Sequence, residues 1–136
     1  MNSPTDKPIR YLTFSDLYNI NHTVTNGDTF VRDMHLLESA VKRPALTVFG
    51  EEQFPTLLDK AAALIHSLAY HHLFADGNKR TAVQAVTYFL ELNGYEVTWK
   101  KDIEYPFILE VAQGMHDVES IAQWLAQYVQ PINLTP

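Results

Sequence analysis

The sequence predicts an all-α protein, a helical bundle that carries one small extended flap. Apolar residues recur at helical spacing through most of the chain, most broadly from Leu57 to Leu68 and from Val83 to Leu92. Extended patterning is confined to two short runs, Thr47–Phe49 and Tyr95–Trp99. The length, 136 residues of which 46% are hydrophobic and 19% charged, suits a single domain over residues 1–136 with one core.

Taken in order, residues 1–10 are polar, carry two prolines and read as a short arm or frayed end. Ser15 is placed to cap a short helix bearing Leu17, Tyr18 and Ile20, and the polar stretch Asn21–Gly27 reads as a turn. Arg32–Lys42 gives a clearer helix with Met34, Leu37, Ala40 and Val41 on one face, stopped by Pro44. Ala45–Pro55 reads as a strand or hairpin around Gly50. Thr56 caps the longest helix, which runs to about His71. Its apolar face is too broad for a surface helix and places it at the centre. Asp76-Gly77-Asn78 breaks the pattern, and a second central helix runs from Asn78 to Asn93, with Gly94 just past its end. A helix is predicted over Pro106–Gln113, closed by Gly114, and a last one over Ser120–Val129 with Pro131 beyond it.

Composition excludes several classes of function. A net charge of -6 argues against broad nucleic-acid affinity, although Lys79-Arg80 and Lys100-Lys101 are local basic pairs. No cysteine is present, which removes disulfides, thiolate catalysis and cysteine-ligated zinc. No apolar run reaches membrane-spanning length and the first ten residues do not resemble a secretory signal, so the expectation is a soluble, cytoplasmic chain without membrane partners.

Chemistry concentrates in His72-Leu73-Phe74-Ala75-Asp76-Gly77-Asn78-Lys79-Arg80. A helix N-terminus exposes unpaired N–H groups and positive partial charge, so Lys79 and Arg80 in a first turn fit best where an anion binds. Gly77 and Asn78 tolerate the backbone conformations that aim successive amides into a concavity. His72 brings an imidazole that accepts a hydroxyl proton near neutral pH. Asp76 supplies the single carboxylate that magnesium takes beside phosphate oxygens. On spacing alone a second reading stands beside this one, in which Asp76 or Asn78 caps the helix and the two cations are solvated.

The pattern His72-x-Phe74-x-Asp76-Gly77-Asn78-Lys79-Arg80 resembles the signature of the Fic/Doc superfamily, and its lysine variant resembles the death-on-curing toxin branch. The resemblance extends to Arg32–Val41 with Arg43-Pro44, to Phe54–Leu57 and Lys60–Leu64, and to Leu92–Tyr95. It implies a Fic-type helical bundle with a β-hairpin flap. It further implies that His72 is the general base for the target hydroxyl, that Phe74 anchors the loop, and that Asp76 holds Mg2+ against the phosphates. Gly77, Asn78 and Lys79 would form the anion hole, and Arg80 would bind phosphate.

Members that transfer AMP usually carry glycine where this chain has Lys79. In the death-on-curing branch the lysine accompanies reversed ATP and phosphorylation of a threonine on elongation factor Tu. The implied function is a toxin kinase that uses ATP and is held by a separate antitoxin. An AMP transferase and a catalytically inactive binding module are the alternatives. Leu73 and His71 stand where proline and asparagine are common, which bears on the loop's rigidity rather than its chemistry.

Ala45–Gly50 resembles the family's flap, whose strand edge would hold a target segment over His72; taken alone it is a plain hairpin. His66, His71 and His72 are not spaced to share one helical face as zinc ligands. His116-Asp117 lacks the remaining ligands of a metal phosphohydrolase, and Asp117 reads instead as a cap. Tyr88, Phe89, Trp99, Phe107 and Trp124 read as core. No inhibitory Ser/Thr-x-x-x-Glu-Gly/Asn helix is found, so the implied inhibition comes in trans.

Overall fold

The computed structural model describes residues 7–133, and it contains six α-helices and two small antiparallel sheets. The helices are α1 (Phe14–Val24), α2 (Met34–Lys42), α3 (Leu57–Tyr70), α4 (Asn78–Leu92), α5 (Lys101–Ala112) and α6 (Val118–Leu125). A 3-10 turn, Arg43–Ala45, follows α2 and contains Pro44. The bundle with a small hairpin is the architecture the sequence predicts.

Helix α3 is the centre, packed against α4, α5 and α6. Ala61, Ala62 and Ala63 are each fully buried, and three small residues in a row let neighbours approach from every side. Leu64, Ile65 and Leu68 complete its buried surface. Thr56 caps it as predicted: Thr56 Oγ1 accepts from the Asp59 N–H at 3.0 Å, and Asp59 accepts from the Thr56 N–H at 3.3 Å. Helix α4 presents Ala82, Ala85, Val86, Phe89 and Leu90 to this core.

Four expectations need correction. Helix α1 is capped by Thr13, which forms a capping box with Asp16, so Ser15 lies inside the helix. The helix also runs to Val24, because Asn21 continues the face of buried Leu17 one turn later, and only residues 25–27 turn. Helix α5 starts at Lys101 rather than Pro106. The proline forfeits one N–H bond in the second turn, and Asp102 and Glu104 complement the positive end of the helix. Helix α6 stops at Leu125, because Val129–Pro131 (β4) leaves to pair with Tyr95–Val97 (β3). Residues 1–6 of the expected arm lie outside the described residues, whereas Arg10 is tied down by two 2.9 Å backbone bonds to the Asn93 side chain.

The flap is a two-plus-two hairpin, β1 (Thr47–Val48) against β2 (Glu51–Glu52), exposed along its length. Its footing is charged and buried. Lys60, 1% exposed, directs Nζ to the carbonyls of Pro44 (3.2 Å) and Phe54 (2.6 Å) and to Glu52 Oε1 (2.8 Å), so all three ammonium donors hold the two ends of the flap. Beside it, Arg43 donates to His66 Nδ1 at 2.9 Å and to Ser67 Oγ at 3.0 Å and lies over the Phe54 ring.

That bond requires His66 to stay neutral at Nδ1. Burial, then Arg43 and His71, push its pKa below the ordinary 6.5, with Asp117 opposing. The unfolded chain takes up the proton at about pH 6.5 while the folded one resists it, so stability falls as pH drops below that value. His66→Asn keeps an acceptor without a titrating proton. It is expected to lose less Tm than the wild type between about pH 7 and pH 5.5; equal losses would remove His66 as the cause.

Candidate functional site

The site is built where the α3–α4 loop crosses the end of α1. The loop is fixed on three sides. Arg32 N–H donates to Leu73 O at 2.8 Å and Ala75 N–H to Phe30 O at 2.9 Å, a β-bridge that pairs Val31 with Phe74. Asn78 closes the turn on itself: its Oδ1 accepts from the Phe74 N–H at 3.0 Å and its Nδ2 donates to Phe74 O at 2.9 Å. Leu73 and Phe74 are fully buried beneath. The loop is therefore rigid without proline at position 73.

Asn21 supplies the third support. It is fully buried on α1, and its Nδ2 donates to Asp76 O at 2.9 Å and to Thr81 Oγ1 at 3.1 Å. Gly77 then comes so near α1 that a Cβ would lie 2.9 Å from Thr25 Cγ2 and 3.2 Å from Val24 Cγ2. Its φ of 77° is a left-handed conformation that glycine adopts freely. Asn21 is the structural residue the sequence reading misses. Its signal is the four-residue step from Leu17, hidden by the polar company of residues 21–27.

Helix α4 begins at this turn with no side-chain cap, whereas Thr13, Asp33, Thr56 and Asp117 cap α1, α2, α3 and α6. The first intrahelical bond is from the Thr81 N–H to Gly77 O at 2.8 Å. Among the described residues, the N–H groups of Gly77, Asn78, Lys79 and Arg80 have no hydrogen-bond partner. No acidic residue stands in this first turn, while Lys79 and Arg80 do, so helix dipole and side chains add up to one positive site.

These groups open on a cavity of about 760 Å³, within the range that holds small-molecule ligands. Asp76, Gly77, Asn78, Lys79 and Arg80 line it, together with Val24, Val83, Gln84, Thr87, Trp99, Lys101, Glu104, Tyr105 and Ile108. Arg80 donates to Val24 O at 2.5 Å and lies 3.6 Å from Asp76 Oδ2; both side chains remain largely exposed. The carboxylate and the guanidinium are thus adjacent yet open to a ligand.

His72 is placed differently. It is exposed, one residue beyond the end cap of α3, and it does not line the cavity. The structure brings Asp76 and the four cradle residues together at one cavity and leaves the imidazole outside it, four residues before Asp76 on the same rigid loop. The Asn78 side chain is taken up in holding the turn, which leaves its backbone N–H to contribute to the cradle.

One of the aromatic residues read as core lies outside it, and Trp99, which does pack against the core, also lines the cavity. Tyr88 is 41% exposed. Trp99 stacks on Trp124 at 5.4 Å, backed by Phe107 at 4.0 Å from Trp124, and its remaining surface forms a wall of the cavity. Phe89 and Phe107 are buried as expected, and Trp124 packs against the core. Asp117 caps α6, its carboxylate accepting from the Ser120 N–H at 2.8 Å. No helix among the described residues is long and apolar enough to cross a membrane.

Residues 11–90 match the model of the Fic/DOC family, a span that includes the flap, α3, the loop and α4 as far as Leu90. A curated relative, named Toxin Doc, from Mycolicibacterium smegmatis (strain ATCC 700084 / mc(2)155), is 42% identical over 120 residues, covering 87% of this chain and 92% of its own.

Proposed function

The chain belongs to the Fic/DOC family, and from that premise we propose that it is a protein-modifying kinase that moves the terminal phosphoryl group of ATP to a protein hydroxyl, acting as the toxin of a toxin–antitoxin pair. The observation that carries the proposal is the open, uncapped start of α4, where four amides without a partner among the described residues and two cations face one cavity.

In this reading the amides of Gly77 to Arg80 and the side chains of Lys79 and Arg80 hold phosphate oxygens and stabilise charge as it develops on the transferred group. His72 takes the proton of the target hydroxyl. The hydroxyl oxygen attacks phosphorus, the new P–O bond forms, and the bond to the bridging oxygen breaks, so that ADP leaves. The exposure of His72 suits this role, because the acceptor is another protein arriving from solvent rather than a molecule already in the cavity. The donor set also suits magnesium: Asp76 is one accessible carboxylate on the cavity wall, the complement this ion takes when phosphates and water fill its remaining positions. Bound there, Mg2+ would neutralise phosphate charge.

The flap offers an unpaired strand edge to an extended segment of the target, and the Lys60 footing fixes its height. Lys79 adds an exposed positive charge to the cavity beside the amides. Elongation factor Tu is the target to try first, and an antitoxin supplied in trans is the partner to co-express. The relative named Toxin Doc supports the toxin assignment.

The deciding experiment offers the protein ATP labelled at the α- or the γ-phosphate, with magnesium and the elongation factor. Transfer of the γ-label alone is the expected result. Transfer of the α-label makes the protein an AMP transferase, and no transfer together with no ATP binding makes it an inactive binding module; either result overturns the kinase reading.

A further inference from the structure

The cavity has a second group of lining residues, from α5 and the segment before it, that includes a carboxylic acid. Glu104, on α5, is 9% exposed and lines the same cavity as Gly77–Arg80. Its backbone N–H bonds to Lys100 O at 3.0 Å, but among the described residues its carboxyl takes part in no hydrogen bond or ion pair. Its oxygens are not sealed from solvent, so water or a ligand entering the cavity that Glu104 lines can reach them where no protein donor does. Burial pushes the Glu104 carboxyl above its ordinary range, with Lys101 opposing in part.

The surroundings narrow what such a group would meet. Trp99, Tyr105, Val83 and Ile108 give the cavity aromatic and apolar walls, and Trp99 is held in place by its stack on Trp124. A carboxyl repels phosphate, so an anionic ligand would turn its phosphates toward Lys79 and Arg80 and its uncharged half toward Glu104. A cationic occupant would face Lys79, Arg80 and Lys101 in the same cavity. A neutral hydrogen-bond donor on a flat, largely apolar body satisfies every wall at once.

We propose that Glu104 is a specificity-determining residue that accepts a hydrogen bond from the nucleoside half of a bound nucleotide, at either a ribose hydroxyl or the amine of the base. The inference rests on the nucleotide-binding reading given above and deepens it.

Calorimetric titration with magnesium complexes of ATP and of inorganic triphosphate tests it on the full chain. Glu104→Leu is expected to weaken ATP binding about tenfold or more, the range for a hydrogen bond to a charged group. Triphosphate binding should be unchanged or slightly tighter, which also shows that the variant is folded. Glu104→Gln, which keeps an acceptor oxygen in the same shape, should retain more of the ATP affinity than the leucine variant. Titration of the wild type with 2′-deoxy-ATP, 3′-deoxy-ATP and inosine triphosphate separates the candidate donors: one of them should bind about as weakly as ATP binds the leucine variant.

The inference is overturned if Glu104→Leu leaves ATP affinity unchanged or weakens ATP and triphosphate by the same factor. It is also overturned if the wild type discriminates against none of the three analogues. If the wild type binds neither ATP nor triphosphate, the nucleotide reading itself fails and this inference goes with it. Wild-type binding of both with equal affinity sinks this inference alone.

Discussion

Replacing His72 by alanine is expected to slow label transfer by roughly 10²–10⁴-fold, the contribution of a well-placed general base. Nucleotide affinity should stay as it was. The split follows from position: the imidazole lies outside the cavity lining, so its removal leaves the amides, Lys79, Arg80 and Glu104 untouched. The fold should also be indifferent, since His72 is exposed and no hydrogen bond depends on it among the described residues. Single-turnover transfer measured beside ATP titration reads both halves. A variant that transfers at the wild-type rate would remove His72 from the mechanism, and one that loses ATP binding in step with transfer would make the residue part of the nucleotide site instead.

The second large effect is expected at Gly77. A Cβ there meets two obstacles. The backbone sits at φ 77°, where an L side chain costs about 1–2 kcal/mol. The new carbon would also lie 2.9 Å from Thr25 Cγ2 and 3.3 Å from Asn21 Nδ2, an overpacking that costs about 1–3 kcal/mol more. Gly77→Ala should therefore be destabilised by the sum of both and, because α1 must shift, should lose most of its phosphate affinity. Gly50→Ala is the control. Its φ is 79°, but nothing lies within 4 Å of the added carbon, so only the backbone cost applies and phosphate binding should be unaffected. Denaturant unfolding of the two variants, with triphosphate titration of each, checks the difference. Equal losses at both positions would mean that the close approach to α1 contributes nothing.

Much of the fold is legible because its signals are local. Thr56 and Asp59 announce the start of α3, Asp76-Gly77-Asn78 marks the break, and Gly94 marks the end of α4; each acts within a few residues of itself. The features that sequence reading misses depend on distant partners. Asn21 reads as a turn residue until α4 lies across it and supplies Thr81. The second sheet joins Tyr95–Val97 to Val129–Pro131, too short on either side to show a period. Reading Pro106 as a helix start leaves residues 101–105 outside α5, and that in turn conceals Glu104. The depth of that carboxyl is set by α5 and by the cavity beside Trp99, which packs on Trp124 more than twenty residues further along the chain. For the candidate site, the cradle is written in consecutive residues and is legible as a pattern; the other walls of the cavity come from separate elements and are not.

The claim beneath all of this is that the backbone amides at the start of α4 bind the phosphates of a nucleotide. Amide proton and nitrogen NMR shifts of the assigned chain, followed while ATP and magnesium are added, test it without any need to know the target. The largest shifts are expected at Gly77, Asn78, Lys79 and Arg80, and inorganic triphosphate should reproduce them while leaving the Trp99 and Glu104 region unmoved. Saturable binding of ATP that leaves those four amides in place, with shifts only elsewhere, would contradict the account.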